Sequence, residues 1–166
     1  MTRLASALIF YVYNIVLTLL SPLLILYFKY KGCQDIRYIG TMDERFGHYP
    51  EALRKAAGVR RLWVHAVSVG EVVGAMPLLR MIQDRLPEYD LVVSTTTITG
   101  RQMLLKSFPG IPTFYFPFDF PWTARRTVSH IAPDALVLME TELWPNVMNQ
   151  CRGRGAPVLL LNGRVS

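Results

Sequence analysis

Two segments hold the side chains through which this sequence could do chemistry: Leu62-Trp-Val-His-Ala-Val-Ser-Val-Gly-Glu71 and Met139-Glu-Thr-Glu-Leu-Trp-Pro-Asn146. Each begins as an apolar run fit for a buried strand and ends in carboxylates where a strand gives way to a helix. In open α/β sheets, ligands bind outside the carboxyl ends of the strands. Two such ends carrying Glu are therefore candidates for a single site. A carboxylate there can take a proton from a hydroxyl if its pKa suits the task, so the pattern points to group transfer onto an alcohol. Glu71 falls near a helix start, where the dipole favours negative charge. Its plainer alternative is a first-turn Glu that only stabilises its helix. Glu140 and Glu142 stand two apart and share a face on an extended backbone, unless the chain turns at Thr141. The plainer alternative for Glu140 is a buried carboxylate satisfied by helix amides.

Ser68, Gly70, Thr97, Thr99 and Gly100 fall at strand-to-helix turns. Amides and hydroxyls at such turns can hold phosphate or sugar oxygens, and helix capping accounts for the Ser and Thr equally well. Arg101, Arg125 and Arg126 are candidates for meeting phosphates, against the usual solvated helix arginine. Trp63, His65 and Trp144 are expected in the core or just behind the site.

These residues need a scaffold, and the chain alternates accordingly. Strands are expected over 62–67, 91–95, 113–116, 135–139 and 157–161. Apolar residues at 72, 76, 79, 82 and 86 have helical spacing, with Pro77 delaying the regular helix to about Ala75. Further helices are expected over 101–108, 122–131 and 145–152, the last opening on Pro145. Short apolar strands alternating with amphipathic helices imply βαβ units. With right-handed crossovers they give a doubly wound, Rossmann-like α/β domain with a parallel sheet. Ahead of it, Gly32 to Gly58 is a mixed polar stretch with a short helix ending near Gly47 and another turn over 51–57. The chain stops at Ser166, directly after a strand, which suggests a fragment.

The first thirty residues are of another kind. No charged residue occurs from Leu4 to Phe28, a run longer than the roughly 20 residues that cross a bilayer's hydrocarbon. It lacks the small-residue cleavage site of a signal peptide. Lys29, Lys31 and Arg37 follow it, whereas only Arg3 and the amino terminus precede it, so the positive-inside rule puts the body in the cytoplasm. The expected organisation is a membrane anchor over 1–31, with a transmembrane helix at about 4–28, and a domain over 32–166. The formal net charge of +6 favours anionic partners, and beside an anchor those are lipid headgroups. Nucleic-acid binding is not supported, because no interleaved aromatic and basic motif occurs. Cys33 and Cys151 form no C-x-x-C pair and are expected as free thiols. His48, His65 and His130 do not cluster at ligand spacing, so no metal site is expected.

Taken together, Glu44-Arg-Phe-Gly47, Trp63–Glu71, Thr95-Thr-Thr-Ile-Thr-Gly100, Phe116-Pro-Phe-Asp119, Met139–Asn146 and Leu161-Asn-Gly-Arg-Val-Ser166 resemble the 3-deoxy-D-manno-octulosonic acid (Kdo) transferases of lipopolysaccharide synthesis. The resemblance covers essentially the whole chain, in order. It implies the amino-terminal, acceptor-binding domain of a two-domain GT-B glycosyltransferase, preceded by a transmembrane helix. It further implies inverting transfer of Kdo from CMP-Kdo to a lipid A precursor, lipid IVA, at the inner membrane. The donor motifs of the family are absent, so CMP-Kdo would be held by a missing carboxyl-terminal domain, and this chain alone would be inactive. No cofactor beyond the donor is implied. By match to the family's motifs, Glu71 is the general base and Glu140 a second site residue beside it. Two rival readings use the same scaffold: a membrane-tethered, non-catalytic binding module, and another GT-B enzyme using a nucleotide-activated sugar.

Overall fold

The computed structural model describes residues 3–139 and 142–161. Five strands, β1 (Arg60–His65), β2 (Tyr89–Thr95), β3 (Thr113–Tyr115), β4 (Ala135–Met139) and β5 (Val158–Leu161), form one sheet in the order β3-β2-β1-β4-β5. Every pairing is parallel. Around it lie α3 (Val69–Arg85), α4 (Ile98–Ser107), α5 (Pro121–Ile131) and α6 (Pro145–Gly153). Ahead of the sheet come α1 (Arg3–Gln34), the short α2 (Met42–Arg45) and 3₁₀ turns at Ile36–Thr41 and Glu51–Leu53. This is the α/β, Rossmann-like arrangement that the strand–helix alternation predicts. The chain reverses direction across the sheet between β1 and β4, which makes their carboxyl ends the topological switch point.

The inner strands are legible because both faces of the sheet are covered there and demand apolar side chains, whereas Leu159, Leu160 and Leu161 of the edge strand β5 are exposed. One face packs Trp63, Val92, Phe114 and Leu136 against α5 and α6; the other packs Val64, Leu91, Val93 and Val137 against α3 and α4. Trp63 is fully buried and donates its indole N–H to Ser94 Oγ at 2.7 Å.

Three local outcomes differ from expectation. Helix α3 begins at Val69, six residues before Ala75, and runs through Pro77. The carbonyl that Pro77 leaves without a partner belongs to Val73, which is exposed, so water can satisfy it. Helix α4 starts at Ile98 because Thr97 caps it. The turn expected over 51–57 is a single 3₁₀ turn ending at Leu53. The expected stop at Gly47 does occur: its φ is +79°, and a Cβ there would lie 3.0 Å from Thr127 Oγ1.

The amino ends of the strands carry a structural network. Arg61 is buried, pairs with Asp90 through Nε at 2.8 Å and Nη2 at 2.6 Å, and donates to the carbonyls of Leu53 and Ile131.

Candidate functional site

Beyond β1 the backbone stays zipped to its neighbours. Ala66 N–H donates to Ser94 O, Thr96 N–H to Val67 O, and Phe116 N–H to Thr95 O, at 3.0–3.1 Å. Thr95 Oγ1 also donates to Val67 O at 3.0 Å. The turn from β1 into α3 is thereby fixed against the ends of β2 and β3. Ser68 then caps α3, accepting from Glu71 N–H at 3.4 Å. The Glu71 carboxylate folds back: Oε2 accepts from Val67 N–H at 2.7 Å and Oε1 from the Ser68 hydroxyl at 3.1 Å. This is a capping box displaced by one residue. Glu71 is half-buried, and Gly70 beside it is exposed.

The register places Leu62–His65 of β1 directly against Ala135–Leu138 of β4. The two carboxylate-bearing segments are therefore neighbours at the switch point. Glu140 lies outside the described residues. Glu142 is exposed.

At the next turn, Thr97 caps α4 by accepting from Gly100 N–H at 3.0 Å. A Cβ on Gly100 would meet Thr95 Oγ1 at 2.5 Å and Thr97 Oγ1 at 2.8 Å, so the residue is there for close packing. Thr99 is exposed. Arg101 is held by Glu44, at 2.9 and 3.0 Å, and lies over the Tyr115 ring. Glu44 also accepts from Tyr115 N–H at 2.6 Å. That geometry gives Arg101 a structural partner on the flank of the sheet. Arg126 donates to the Phe46 carbonyl at 3.2 Å and meets His48 at 2.5 Å. Arg125 is exposed.

His65 sits immediately behind the site. It is fully buried, stacks on Phe116 with centroids 3.9 Å apart, and places Nδ1 2.9 Å from Ser94 Oγ. Burial pushes its pKa from 6.5 down to about 3, so the ring is neutral. Neither His65 Nε2 nor the Trp144 indole N–H has a partner among the described residues.

Three residues at this edge escape a reading by sequence. Asp119 is buried and accepts from the N–H groups of Asn146 and Val147, both at 2.9 Å, and from the Tyr13 hydroxyl at 2.8 Å. It caps α6 from another loop, because Trp144, at the cap position itself, has no side chain able to do so. Burial raises its pKa, while the Asn146 and Val147 amides pull it down. The signal was a Pro-initiated helix with no capping residue before it, which requires an acceptor from elsewhere. Asn146 in turn donates to Asn14 Oδ1 at 2.7 Å. Arg45 is buried and stacked between Phe28 and Tyr115, at 4.9 and 5.0 Å, with Nη2 on the Thr96 carbonyl at 2.5 Å. It forms no ion pair among the described residues, and burial lowers its pKa.

Arg45, Thr96, Phe116, Phe118, Asp119 and Trp144 meet Tyr13, Leu17, Leu24 and Phe28 of α1 around a largely apolar cavity of about 310 Å³. Thr96 joins this cavity to the Glu71 turn through its bond to Val67. Among the described residues no three His, Cys, Asp or Glu side chains converge as metal ligands would. Cys33 and Cys151 are free, the first exposed and the second buried with its thiol pushed up to about 12.

A doubly wound parallel domain with Glu71 at its switch point is compatible with many chemistries, and comparison with known proteins narrows the class. Residues 40–166 match the family model described as 3-Deoxy-D-manno-octulosonic-acid transferase (kdotransferase), and the chain belongs to that family. It is 32% identical over 155 residues to a 3-deoxy-D-manno-octulosonic acid transferase of Haemophilus influenzae, covering 93% of this chain and 36% of that protein. It is 33% identical over 147 residues to a probable mitochondrial 3-deoxy-D-manno-octulosonic acid transferase of Arabidopsis thaliana, covering 88% and 32%. A Bordetella pertussis transferase of the same name is 38% identical over 112 residues, covering 63% and 26%. The chain thus spans about a third of the length of the Haemophilus influenzae and Arabidopsis thaliana relatives.

Proposed function

We propose that the full-length protein transfers Kdo from CMP-Kdo to a lipid A precursor, lipid IVA, with inversion at the anomeric carbon. The reading rests on one observation above the others: Glu71 stands at the carboxyl end of β1, beside β4, at the switch point of a kdotransferase-family domain. In the reaction, an acceptor hydroxyl oxygen bonds to the anomeric carbon of Kdo, the bond from that carbon to the CMP phosphate oxygen breaks, and CMP leaves. The hydroxyl proton passes to Glu71. A carboxylate offers about four lone-pair positions, and the two capping bonds at Glu71 leave room for a substrate hydroxyl. Val67 and Ser68 hold the carboxylate in one orientation, which is what a general base needs.

The neighbouring residues divide the remaining tasks. Glu140 positions the acceptor beside Glu71. Ser68, Gly70, Thr97 and Thr99 supply hydroxyls and amides along the strand-to-helix turns, while Gly100 packs closely beneath them with its N–H on Thr97. Arg45, a cation without an acidic partner among the described residues, is better placed than Arg101 to meet an acceptor phosphate. The apolar cavity beside it suits alkyl parts of a lipid. CMP-Kdo binds to a carboxyl-terminal domain outside this chain, and no cofactor is assigned beyond the donor. The body works at the cytoplasmic face of the inner membrane, attached through α1.

Glu71→Gln in the full-length enzyme tests the reading. Gln keeps an oxygen for Val67 N–H and cannot take the proton, so kcat should fall by about 10²–10⁴ with folding and acceptor affinity preserved. Near-normal kcat would remove Glu71 from the chemistry. Loss of activity through unfolding would leave it only a cap.

A further inference from the structure

Helix α1 is long and apolar enough to cross a membrane, yet it does not project from the domain. Its half-buried positions include Phe10, Tyr13, Leu17, Ser21, Leu24 and Phe28, a stripe at three- and four-residue spacing. The stripe lies along the carboxyl edge of the sheet. Tyr13 donates to the buried Asp119 at 2.8 Å, Asn14 accepts from Asn146 at 2.7 Å, and Phe28 packs edge-on against Phe118 at 5.1 Å. The opposite face carries Leu8, Tyr11, Ile15, Leu19, Leu23 and Leu26, each at least 58% exposed.

Docking and crossing exclude one another. Fifteen residues separate Tyr13 from Phe28, about 22 Å along a helix, and both touch the same domain surface. If α1 crossed a hydrocarbon layer about 30 Å thick from its Phe28 end, Tyr13 would lie past the midplane. The buried Asp119 and the start of α6 would be drawn in with it, at the cost of placing a carboxylate and irregular loop backbone in lipid.

We propose that α1 lies in the plane of a single leaflet, latched to the domain by Tyr13–Asp119 and Asn14–Asn146, with its outer ridge in the acyl region of an anionic bilayer. Lys29, Lys31 and the net charge of +6 complement anionic headgroups, as expected for an interfacial helix. Both ends of α1 then face the same side of the membrane as the body. The switch-point edge is held at headgroup level, where the sugars of a lipid acceptor lie. This last consequence rests on the proposed function; the placement of α1 does not.

The experiment is cysteine labelling of the full-length protein, otherwise free of reactive cysteines, in right-side-out and inverted membrane vesicles. One form keeps Cys33; the other carries Cys33→Ser with Ala5→Cys. A membrane-impermeant maleimide should modify both from the same side, the cytoplasmic one. Labelling from opposite sides means that α1 crosses, and overturns the proposal. In parallel, Asn14→Cys with Asn146→Cys should be joined by a short bismaleimide in intact membranes; no cross-link overturns the latch. Release of the protein into the soluble fraction by a high-salt wash would mean that protein, from the donor half or a second copy, covers the apolar ridge instead of lipid, and also overturns it. None of these readouts involves Kdo transfer, so they fail or succeed separately from the proposed activity.

Discussion

Glu71 carries a capping role and a proposed catalytic one, and the two are compatible because capping fixes the carboxylate where a base must stand. The sequence makes the position of such a residue visible, since an acid just after a strand end sits where open α/β sheets bind ligands. Its exact partners were not readable: the turn that presents Val67 N–H to Glu71 is pinned through the Val67 carbonyl to Thr95 and Thr96, about thirty residues away. His65, one layer behind, gives the residue scale a pH signature. Its folded pKa is about 3, against 6.5 for the free side chain. The unfolded chain therefore binds a proton below about pH 6.5 that the folded chain refuses. The stability this contributes is fully present above pH 6.5 and is lost as pH falls toward 3. His65→Gln should flatten the acid limb of the stability profile by one proton, about 1.4 kcal/mol per pH unit, in urea melts across that range. An unchanged slope would mean that the ring is protonated inside the fold.

At the scale of elements, α6 depends on a residue outside itself. Asp119 satisfies the first N–H groups of that helix from the loop after β3. Asp119→Ala should cost about 1–3 kcal/mol, because buried donors lose their acceptor. Chemical denaturation measures this directly, and a loss below 0.5 kcal/mol, roughly a surface-substitution effect, would contradict the capping assignment. Strands and helices were legible in the sequence because buried parallel strands must be apolar runs and Pro145 announces a helix start. The cap was not legible, because it acts between residues 27 apart. Nor was the docking stripe of α1, since a helix apolar on every face has little contrast to reveal which side meets protein. In a membrane span Asn14 looks merely tolerable and Tyr13 suited to an interfacial position, until Asp119 and Asn146 are placed beside them.

At the scale of the whole molecule, the Arg61 network secures the amino edge of the sheet, while the carboxyl edge gathers Glu71, Arg45, the cavity and α1. A lipid acceptor held at that edge and a sugar donor bound opposite would bring an alcohol and an anomeric carbon together beside Glu71. The neighbourhood of the two carboxylate segments was readable from their shared form. Their contact required the β1–β4 pairing to be seen. The most direct measurement is the product made by the purified full-length protein from CMP-Kdo and lipid IVA, with its anomeric configuration read by NMR. Kdo joined to an acceptor hydroxyl with the configuration inverted relative to CMP-Kdo is the predicted result. Retention of configuration, or release of CMP with no glycosidic bond formed, would contradict it.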